Sequence, residues 1–451
     1  MTARDLAWKM LMRINEDGEY AHKVLLALDD SELNTKNRAL VTKIVHGTLE
    51  RRLTIDWILE RRTQKPISRM KPGIRNLMRM SVYQILFLDQ IPASAVCNEA
   101  VKMAKKIGFF GLSGFVNGVL RNIVRDVEAA GSGQKYLSVM EEGMTETEKV
   151  CFHYSMPAEL CAYYLNYYPN EARDMFGAFL KDSSIAIRHN KSRCTAETLL
   201  ASLEAEEVPY EKGLLPNTFR LGKAGNPSRL SAYQKGLFSI QDESSALSGN
   251  ILPLRKDMCV LDLCAAPGGK TIHVADELRA LGGGTVKARD ISEQKIRRIK
   301  EHVKLLELDN VTCEVSDATQ YDKASDKAYD LVIADLPCSG LGVIGRKPDI
   351  KYKTGTDEVE ILAELQRRIL KLAISYVKPG GFLCYSTCTI TKEENDANVD
   401  FLISEGLKPY DFSEQVPVNL QKRYHDGRLQ LFPQDGTDGF FISLLVKEAD
   451  E

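Results

Sequence analysis

Strand-like and helix-like patterns alternate from residue 251 to the end of the chain, and this alternation strongly limits the possible folds. The runs with strand character are residues 259–263, 285–288, 311–315, 329–334, 381–384 and 440–446. Parallel strands need a long crossover between them, and helical stretches separate most of these runs. The pattern therefore predicts a doubly wound α/β sheet with helices on both faces. In such a sheet, ligands and catalytic groups gather at the carboxyl ends of the strands.

The part of the chain before this region has a different character. Residues 1–128 repeat apolar positions at steps of three and four, which predicts an all-helical bundle. Residues 129–148 are rich in Gly, Ser and Glu and predict a flexible acidic linker. Residues 149–250 mix both patterns and predict a small α+β domain of an RNA-binding type. A catalytic domain over 251–451 would complete a multidomain protein.

Composition narrows the class of protein further. The chain has 451 residues, of which 44% are hydrophobic and 27% are charged, so we expect two or three globular domains. No apolar run is long enough to span a bilayer, and the N-terminus lacks the layout of a secretory signal. The ten cysteines are scattered without the spacing of a small disulfide scaffold. We therefore expect a cytoplasmic protein that does not associate with membranes.

The net charge of −2 conceals an uneven distribution. Residues 1–130 carry 21 Lys and Arg against 14 Asp and Glu, so the rest of the chain has an excess of nine acids. The basic excess is concentrated between Arg51 and Arg79. Such a surplus favours contact with nucleic-acid phosphates, and a solvated helical face is the alternative. The sequence does not tell whether this stretch contacts RNA or a protein.

A loop of small residues follows the first strand of the predicted sheet. It consists of Cys264, Ala265, Ala266, Pro267, Gly268, Gly269 and Lys270. Small residues at a strand-to-helix turn let a nucleotide approach the backbone at a helix N-terminus. The ending Gly269-Lys270-Thr271 is similar to that of a P-loop, but Cys264 stands where a P-loop needs Gly. The dinucleotide pattern G-x-G-x-x-G is also absent from this turn.

Acidic residues follow the next strands of the predicted sheet. Asp290 ends the second strand, Asp317 follows the third, and Asp335 follows the fourth. An acid at the end of the second strand can hold ribose hydroxyls, and one after the third can accept a hydrogen bond from an adenine edge. Together with the loop, these acids favour S-adenosylmethionine as the ligand.

Two cysteines also follow strand-like runs. Cys338 lies in Asp335-Leu-Pro-Cys-Ser-Gly340, and Cys388 lies in Tyr385-Ser-Thr-Cys-Thr389. Carbon C5 of cytosine is a poor nucleophile, but a thiolate added to C6 produces an enamine that can attack a methylsulfonium. Asp335 could hydrogen-bond the N3/N4 edge of that base, and Lys270 could orient Asp335 or lower a thiol pKa. Burial as a small apolar side chain is the alternative for either cysteine.

A metal site is a further possibility for the pair Cys384 and Cys388. The sequence places no His close to this pair, and the two side chains should point to different sides of the strand end. We therefore expect no metal ion at this site.

The motifs around these residues resemble the signature motifs of RNA cytosine-5 methyltransferases. The matching segments are residues 262–271, 334–340, 346–351, 385–388, 393–395 and 438–441. By this resemblance Cys388 would be the nucleophile and Cys338 would assist release of the methylated product. Cys264–Lys270, Asp290, Asp317 and Asp335 would line the S-adenosylmethionine site of a Rossmann-like, class I methyltransferase domain.

The N-terminal region resembles the NusB-type RNA-binding bundle in residues 98–102 and 114–121. A NusB-like bundle fused to such a catalytic domain is the layout of the RsmB (Sun) family, which methylates one cytosine of bacterial small-subunit rRNA. The resemblance implies small-subunit rRNA as the partner, either naked or at an early stage of assembly. We also expect a monomer. The same chemistry on tRNA and a non-catalytic RNA-binding or transcription protein are the alternatives. The sequence does not identify the target cytosine.

Overall fold

The computed structural model describes residues 2–27, 35–181, 184–222 and 226–449. These residues divide into two compact units. The helical unit contains the chain up to Lys181 together with Ile344–Gly355, and the sheet unit contains the remainder. Residues 28–34, which fall within the predicted helical bundle, lie outside the described residues.

The helical unit is built from helices, most of which pack around one apolar core. They are α1 (Ala3–Asn15), α2 (Ala21–Leu26), α3 (Thr35–Glu50), α4 (Arg52–Thr63), α5 (Pro72–Phe87), α6 (Ala93–Lys106), α7 (Ser113–Ala130), α8 (Gly133–Met140), α9 (Glu146–Tyr154), α10 (Ala158–Tyr167) and α11 (Ala172–Phe179). Thr2 and Thr145 cap α1 and α9 in reciprocal capping boxes. Buried residues of α1 to α9 form the core, which confirms the prediction of a helical bundle.

The prediction of a flexible linker over residues 129–148 is wrong. Helix α7 runs two residues into this segment, and the Ser132 side chain then caps α8. Tyr136, Leu137 and Met140 of α8 are buried in the same core as the preceding helices. Of the Gly and Glu residues that suggested a linker, some occupy the turns on either side of α8 and the others lie in the first turns of α8 and α9. Burial of three large side chains outweighs the turn-forming tendency of their neighbours.

The segment Ile344–Gly355 belongs to the helical unit, although the sequence places it between two strands of the large sheet. Lys351 Nζ donates a hydrogen bond to the Glu50 carbonyl at 2.8 Å, and the Tyr352 hydroxyl donates one to the Leu49 carbonyl at 2.6 Å. Burial lowers the pKa of Lys351 to about 7. These contacts fix the segment on the end of α3.

The sheet unit contains a small and a large sheet with their connecting helices. In chain order they are β1 (Ile185–His189), α12 (Ala196–Ala205), β2 (Tyr210–Lys212), β3 (Thr218–Leu221), α13 (Ser231–Gln234), β4 (Phe238–Ile240), α14 (Glu243–Asn250), β5 (Cys259–Asp262), α15 (Gly269–Ala280), β6 (Thr285–Asp290), α16 (Glu293–Leu305), β7 (Val311–Val315), β8 (Tyr329–Asp335), α17 (Thr356–Tyr376), β9 (Val377–Thr387), α18 (Asp396–Ser404), β10 (Leu407–Pro409), β11 (Tyr424–His425), β12 (Arg428–Leu431) and β13 (Phe440–Lys447).

The large sheet has the strand order β11-β12-β13-β9-β8-β5-β6-β7, and β10 pairs with β13. Strands β9, β8, β5, β6 and β7 are parallel, whereas β13 runs antiparallel to β9. The chain moves outward from β5 through β6 to β7 and then returns to β8 on the other side of β5. This reversal makes a topological switch point between β5 and β8, where ligands bind in open α/β sheets. The predicted α/β fold is confirmed.

The small antiparallel sheet, β2-β3-β1-β4, belongs to the same unit as the large sheet. Arg188 on β1 is fully buried and pairs with the buried Asp276 of α15 at 2.9 Å. The predicted domain over 149–250 is therefore not a separate body. Residues 149–181 belong to the helical unit, and the remaining residues belong to the sheet unit. The Arg188–Asp276 pair joins the small sheet to α15, because a buried charge must keep its partner close by.

Candidate active site

The loop after β5 turns the chain into α15 at the switch point. Gly268 has φ +105° at the N-cap of α15, a backbone conformation that favours glycine. The Ala265 amide donates to the Arg289 carbonyl of β6 at 2.7 Å, which ties the loop to the neighbouring strand. The predicted small-residue loop thus lies at the carboxyl edge of the sheet, beside a helix N-terminus.

The predicted acids Asp290 and Asp317 lie at the ends of β6 and β7. Asp290 is buried, and its carboxylate accepts hydrogen bonds from the Ala266 amide at 3.3 Å and the Ser292 amide at 3.0 Å. Asp317 is half-buried, and hydrogen bonds from the Thr319 amide and hydroxyl lower its pKa. Asp290 therefore braces the loop directly, whereas Asp317 stays ionised at the next strand end.

Lys270 and Asp335 form an ion pair between α15 and β8. The Lys270 Nζ lies 2.6 Å from Asp335 Oδ2, and the Ser386 hydroxyl of β9 donates to Asp335 Oδ1 at 2.8 Å. The Lys270 side chain is 8% exposed, but the Asp335 side chain is 34% exposed. Lys270 therefore orients a carboxylate that a ligand can still reach.

Asp262, at the end of β5, is a buried acid for which the sequence suggested no role. Burial raises its pKa to about 7, although the Thr271 hydroxyl donates a hydrogen bond to it at 2.6 Å. A carboxyl with this pKa is often protonated at neutral pH.

The two predicted catalytic cysteines are brought into contact. Cys338 Sγ and Cys388 Sγ are 3.3 Å apart, although the residues are 50 positions apart in sequence. Both side chains are half-buried. The pKa of Cys338 lies well above its ordinary value because its thiol is hydrogen-bonded to Cys388 and because burial disfavours its charge. Cys338 therefore keeps its proton at neutral pH, beside the Cys388 sulfur.

Hydrogen bonds brace the two cysteine loops against each other. The Ser339 and Thr389 hydroxyls are 2.6 Å apart, and each residue directly follows a cysteine. The Ser339 amide donates to the buried Glu394 carboxylate at 2.9 Å, and the Thr391 hydroxyl donates to the other oxygen of that carboxylate at 2.7 Å. Glu394 thus links both loops. Its position in the matched segment 393–395 is the signal that the sequence offered.

The backbone of Gly342 passes close to the Cys388 loop. The Gly342 amide donates to the Cys388 carbonyl at 3.0 Å, and the Gly439 amide donates to the Gly342 carbonyl at 2.9 Å. A Cβ on Gly342 would lie 1.9 Å from the Gly439 carbonyl oxygen, so no larger residue fits. This close approach places Gly439, in the matched segment 438–441, beside the Cys388 loop.

Gln241 is another residue of this region to which the sequence analysis gave no role. Its side chain accepts a hydrogen bond from Arg188 at 3.0 Å and makes a long one, 3.4 Å, to the Gly269 carbonyl. It therefore links the buried ion pair of the small sheet to the start of α15. No motif of known chemistry marks this position in a single sequence.

Cys384 differs from the two site cysteines. It lies on β9 and is buried, and burial raises its pKa to about 12.

The basic stretch 51–79 contains residues that pair within the protein. Arg62 pairs with Asp126 at 2.7 Å. Arg79 pairs with buried Asp56 at 2.6 Å. The basic stretch is thus partly used for internal pairing, and its contact with RNA stays a prediction.

Two classes of feature are absent from the described part of the chain. Within residues 2–27, 35–181, 184–222 and 226–449, no cluster of three or more His, Cys, Asp or Glu side chains could hold a metal ion. In those same ranges no helix is both long and apolar enough to cross a membrane.

Comparison with known proteins connects this geometry to a family. Residues 250–446 match the family model described as 16S rRNA methyltransferase RsmB/F, and residues 1–125 match the NusB family. The probable ribosomal RNA small subunit methyltransferase B of Bacillus subtilis is 35% identical over 99% of both chains. The ribosomal RNA small subunit methyltransferase B of Proteus mirabilis is 29% identical over 99% of this chain and 98% of its own.

Solved structures show the same fold. The protein PH0851 aligns with a TM-score of 0.80 and 24% identity over 99% of both chains. NSun6 from Pyrococcus horikoshii, solved with SFG, aligns with a TM-score of 0.57 and 23% identity over 65% of this chain and 99% of its own. Full-length similarity at 35% identity includes both units and every segment of the site. The chain therefore belongs to the ribosomal RNA small subunit methyltransferase B family of S-adenosylmethionine-dependent methyltransferases.

Proposed function

We propose that this protein methylates C5 of one cytosine in small-subunit rRNA through a covalent adduct between Cys388 and C6 of the base. The observation that carries the proposal is the contact of the two thiols, 3.3 Å apart, on loops that follow β8 and β9. Asp335, which pairs with Lys270, is the last residue of β8, the strand that precedes the Cys338 loop. Family members from other bacteria are named for small-subunit rRNA, which supports this RNA as the substrate.

The residues at the strand ends suit S-adenosylmethionine. The ligand offers ribose hydroxyls, an exocyclic amine and positive charge, and the strand ends offer the carboxylates of Asp290, Asp317 and Asp335. Cys264–Lys270 would approach the ligand through small side chains and backbone, with Asp290 on the ribose and Asp317 on the adenine edge. When bound, the donor supplies an electrophilic methyl group on a sulfonium.

The thiol pair suits both halves of the reaction. The Cys388 sulfur adds to C6, which makes C5 nucleophilic enough to take the methyl group, while Asp335 hydrogen-bonds the N3/N4 edge of the base. Loss of the C5 proton and departure of the Cys388 sulfur from C6 then restore the aromatic ring. Because the target atoms are buried in a stacked helix, the cytosine must be unpaired or flipped to reach Cys388.

Cys338 suits the release step for an electrostatic reason. Its pKa is raised by the neighbouring Cys388 sulfur and by burial. Once Cys388 is bound to carbon, its sulfur no longer carries negative charge, so the pKa of Cys338 falls and its thiol can ionise. The Cys338 thiolate can then accept the C5 proton, and the electron pair of the C5–H bond forms the C5–C6 double bond and expels Cys388 as a thiolate.

Methyl transfer from labelled S-adenosylmethionine to naked small-subunit rRNA and to tRNA tests the proposal. We expect wild type to label rRNA, Cys388→Ala to label neither RNA, and Cys338→Ala to accumulate a covalent protein–RNA adduct. Labelling of tRNA alone would be consistent with the same mechanism and would make tRNA, not rRNA, the substrate. If Cys388→Ala retained wild-type labelling, the covalent mechanism would be wrong. If wild type neither labelled RNA nor bound the donor, a non-catalytic RNA-binding protein would be favoured.

A further inference from the structure

The contact between the two thiols has a consequence outside the methylation cycle. A disulfide has an S–S distance of about 2.05 Å, so the sulfurs of Cys338 and Cys388, now 3.3 Å apart, need to approach by roughly 1.3 Å. Rotation of the two side chains can provide such a shift. The chain can therefore form this bond without a large movement of either loop.

The loops around the thiols are braced so that the pair stays together. The Ser339 and Thr389 hydroxyls, the Gly342 amide with the Cys388 carbonyl, and the Glu394 carboxylate each connect the two loops. Because these braces hold the backbone on both sides, the sulfurs cannot drift apart by loop movement alone. A high local concentration of one thiol beside the other favours disulfide formation over other fates of an oxidised cysteine.

Both residues are also partly exposed, and neither belongs to the fully buried core. Cys384, on the strand that leads into the Cys388 loop, offers a contrast because it is 1% exposed and its pKa is raised by burial to about 12. Oxidants react with thiolates that they can reach, so the two site cysteines are favoured over Cys384.

We propose that Cys338 and Cys388 form a reversible disulfide when the protein meets hydrogen peroxide. The thiolate of one cysteine attacks one peroxide oxygen and the O–O bond breaks, which gives a sulfenic acid. The leaving hydroxide takes up the proton that the thiol lost on ionising and departs as water. The second thiol then displaces the sulfenic hydroxyl as another water and forms the S–S bond. Two thiols lose two electrons and two protons in total, and one peroxide is reduced to two waters.

The disulfide has two consequences, which rest on the proposed function of Cys388 as nucleophile. Methyl transfer stops while the Cys388 sulfur is bound to Cys338. The bond also keeps Cys388 from the sulfinic and sulfonic states, which dithiols do not reverse. Cys338 thus serves as the resolving thiol of an oxidative off-switch.

Peroxide treatment of the full-length protein followed by alkylation and non-reducing peptide mass spectrometry tests the bond itself. We expect one peptide pair joining Cys338 to Cys388, cleaved by dithiothreitol, in wild type and in the control Cys313→Ser, which removes a half-buried thiol elsewhere on the sheet. Wild-type methyl transfer should fall in step with the crosslinked fraction and return with dithiothreitol. Detection of only sulfinic or sulfonic Cys388, with no crosslink, would overturn the inference.

The variant Cys338→Ala tests protection. Its readout is the covalent adduct with RNA, because release of the product is expected to fail in this variant. After peroxide, we expect adduct formation to be lost and not restored by dithiothreitol, since Cys388 then lacks a resolving partner. Full restoration in Cys338→Ala would show that Cys338 does not protect Cys388.

The two proposals fail separately in these experiments. A crosslink that forms in wild type while methyl transfer continues unchanged would contradict the role of Cys388 as nucleophile and leave the disulfide established. If methyl transfer depended on Cys388 but no crosslink formed, the disulfide proposal would be contradicted and the role of Cys388 as nucleophile would stand.

Discussion

Two ion pairs of equal length, one in each unit, have different surroundings. Arg79 and Asp56 in the helical unit are 2.6 Å apart, and Lys270 and Asp335 in the sheet unit are also 2.6 Å apart. The Asp56 side chain is 12% exposed, whereas that of Asp335 is 34% exposed. The first pair is enclosed among helices, and the second lies at the end of a strand.

The difference shows what separates a charge pair that is enclosed by the fold from one that a ligand can still reach. Enclosed charges must satisfy each other, so the Arg79–Asp56 pair fixes α4 against α5 and has no capacity left for a ligand. Asp335 is oriented by Lys270 and Ser386 but stays accessible, so it can accept a further hydrogen bond. Both units thus contain a buried charged side chain, Arg79 in one and Lys270 in the other. Of their two partners, Asp335, at the end of a strand, is the more exposed.

Removal of the Asp335 charge is expected to have the largest effect. Asp335→Asn keeps the size of the side chain but cannot accept on both oxygens and cannot pair with Lys270. We expect kcat for methyl transfer to fall by about a hundredfold or more. Rapid-quench measurement of methyl transfer, with donor affinity measured by calorimetry, checks this. A loss confined to donor affinity would show that Asp335 holds the donor and does not act on the base.

Disruption of the enclosed pair should affect stability instead. Asp56→Ala leaves the Arg79 guanidinium buried without its partner, and we expect a loss of about 3–5 kcal/mol in the free energy of unfolding. The control Asp126→Ala removes the partner of Arg62, where both side chains are about one-third exposed, and should cost at most about 1 kcal/mol. Chemical denaturation measures both. Equal effects would contradict the distinction between enclosed and accessible pairs.

Helix α8 offers a test of packing within the helical unit. Leu137→Ala removes a side chain that is 4% exposed, and we expect a loss of about 2–4 kcal/mol in the free energy of unfolding. Val139→Ala, on the same helix, changes a side chain that is 51% exposed and should have little effect. If residues 129–148 were a flexible linker, the two variants would behave alike in thermal unfolding.

The buried amine of Lys351 predicts a pH dependence of stability. Its pKa in the folded chain is about 7, below the ordinary value, so the unfolded chain binds more protons between this pH and about 10. Stability from this group therefore rises with pH through that window, by about 2 kcal/mol from pH 7 to pH 9. Denaturation of wild type and Lys351→Met at both pH values measures the difference. A pH-independent difference would mean that Lys351 stays charged when buried.

Much of the site could be predicted from the sequence because it lies in short segments next to strand ends. The loop Cys264–Lys270 and the acids Asp290, Asp317 and Asp335 lie at the carboxyl edge where the strand pattern places them. Cys338 and Cys388 follow neighbouring strands, so the parallel order of β8 and β9 brings them together. Their assigned roles stay predictions until the variants are measured.

Other features could not be predicted because they depend on contacts between distant segments. Gln241 and Arg188 gain their role from α15, which is positioned by the fold and not by spacing in the sequence. The segment 129–148 has a composition typical of a linker, but the core of the helical unit is available to bury its apolar side chains. A single sequence does not show that partner.

The sequence by itself determined the chemistry of this protein: which side chains are thiols, carboxylates and amines, and after which strand each one comes. Those assignments are local, since strand and helix patterns are properties of neighbouring residues. Only the tertiary structure decided that the thiols are 3.3 Å apart, that Lys270 faces Asp335, and that Ile344–Gly355 folds with the helical unit. Distances and burial depend on how separate segments pack, and packing is a property of the whole folded unit.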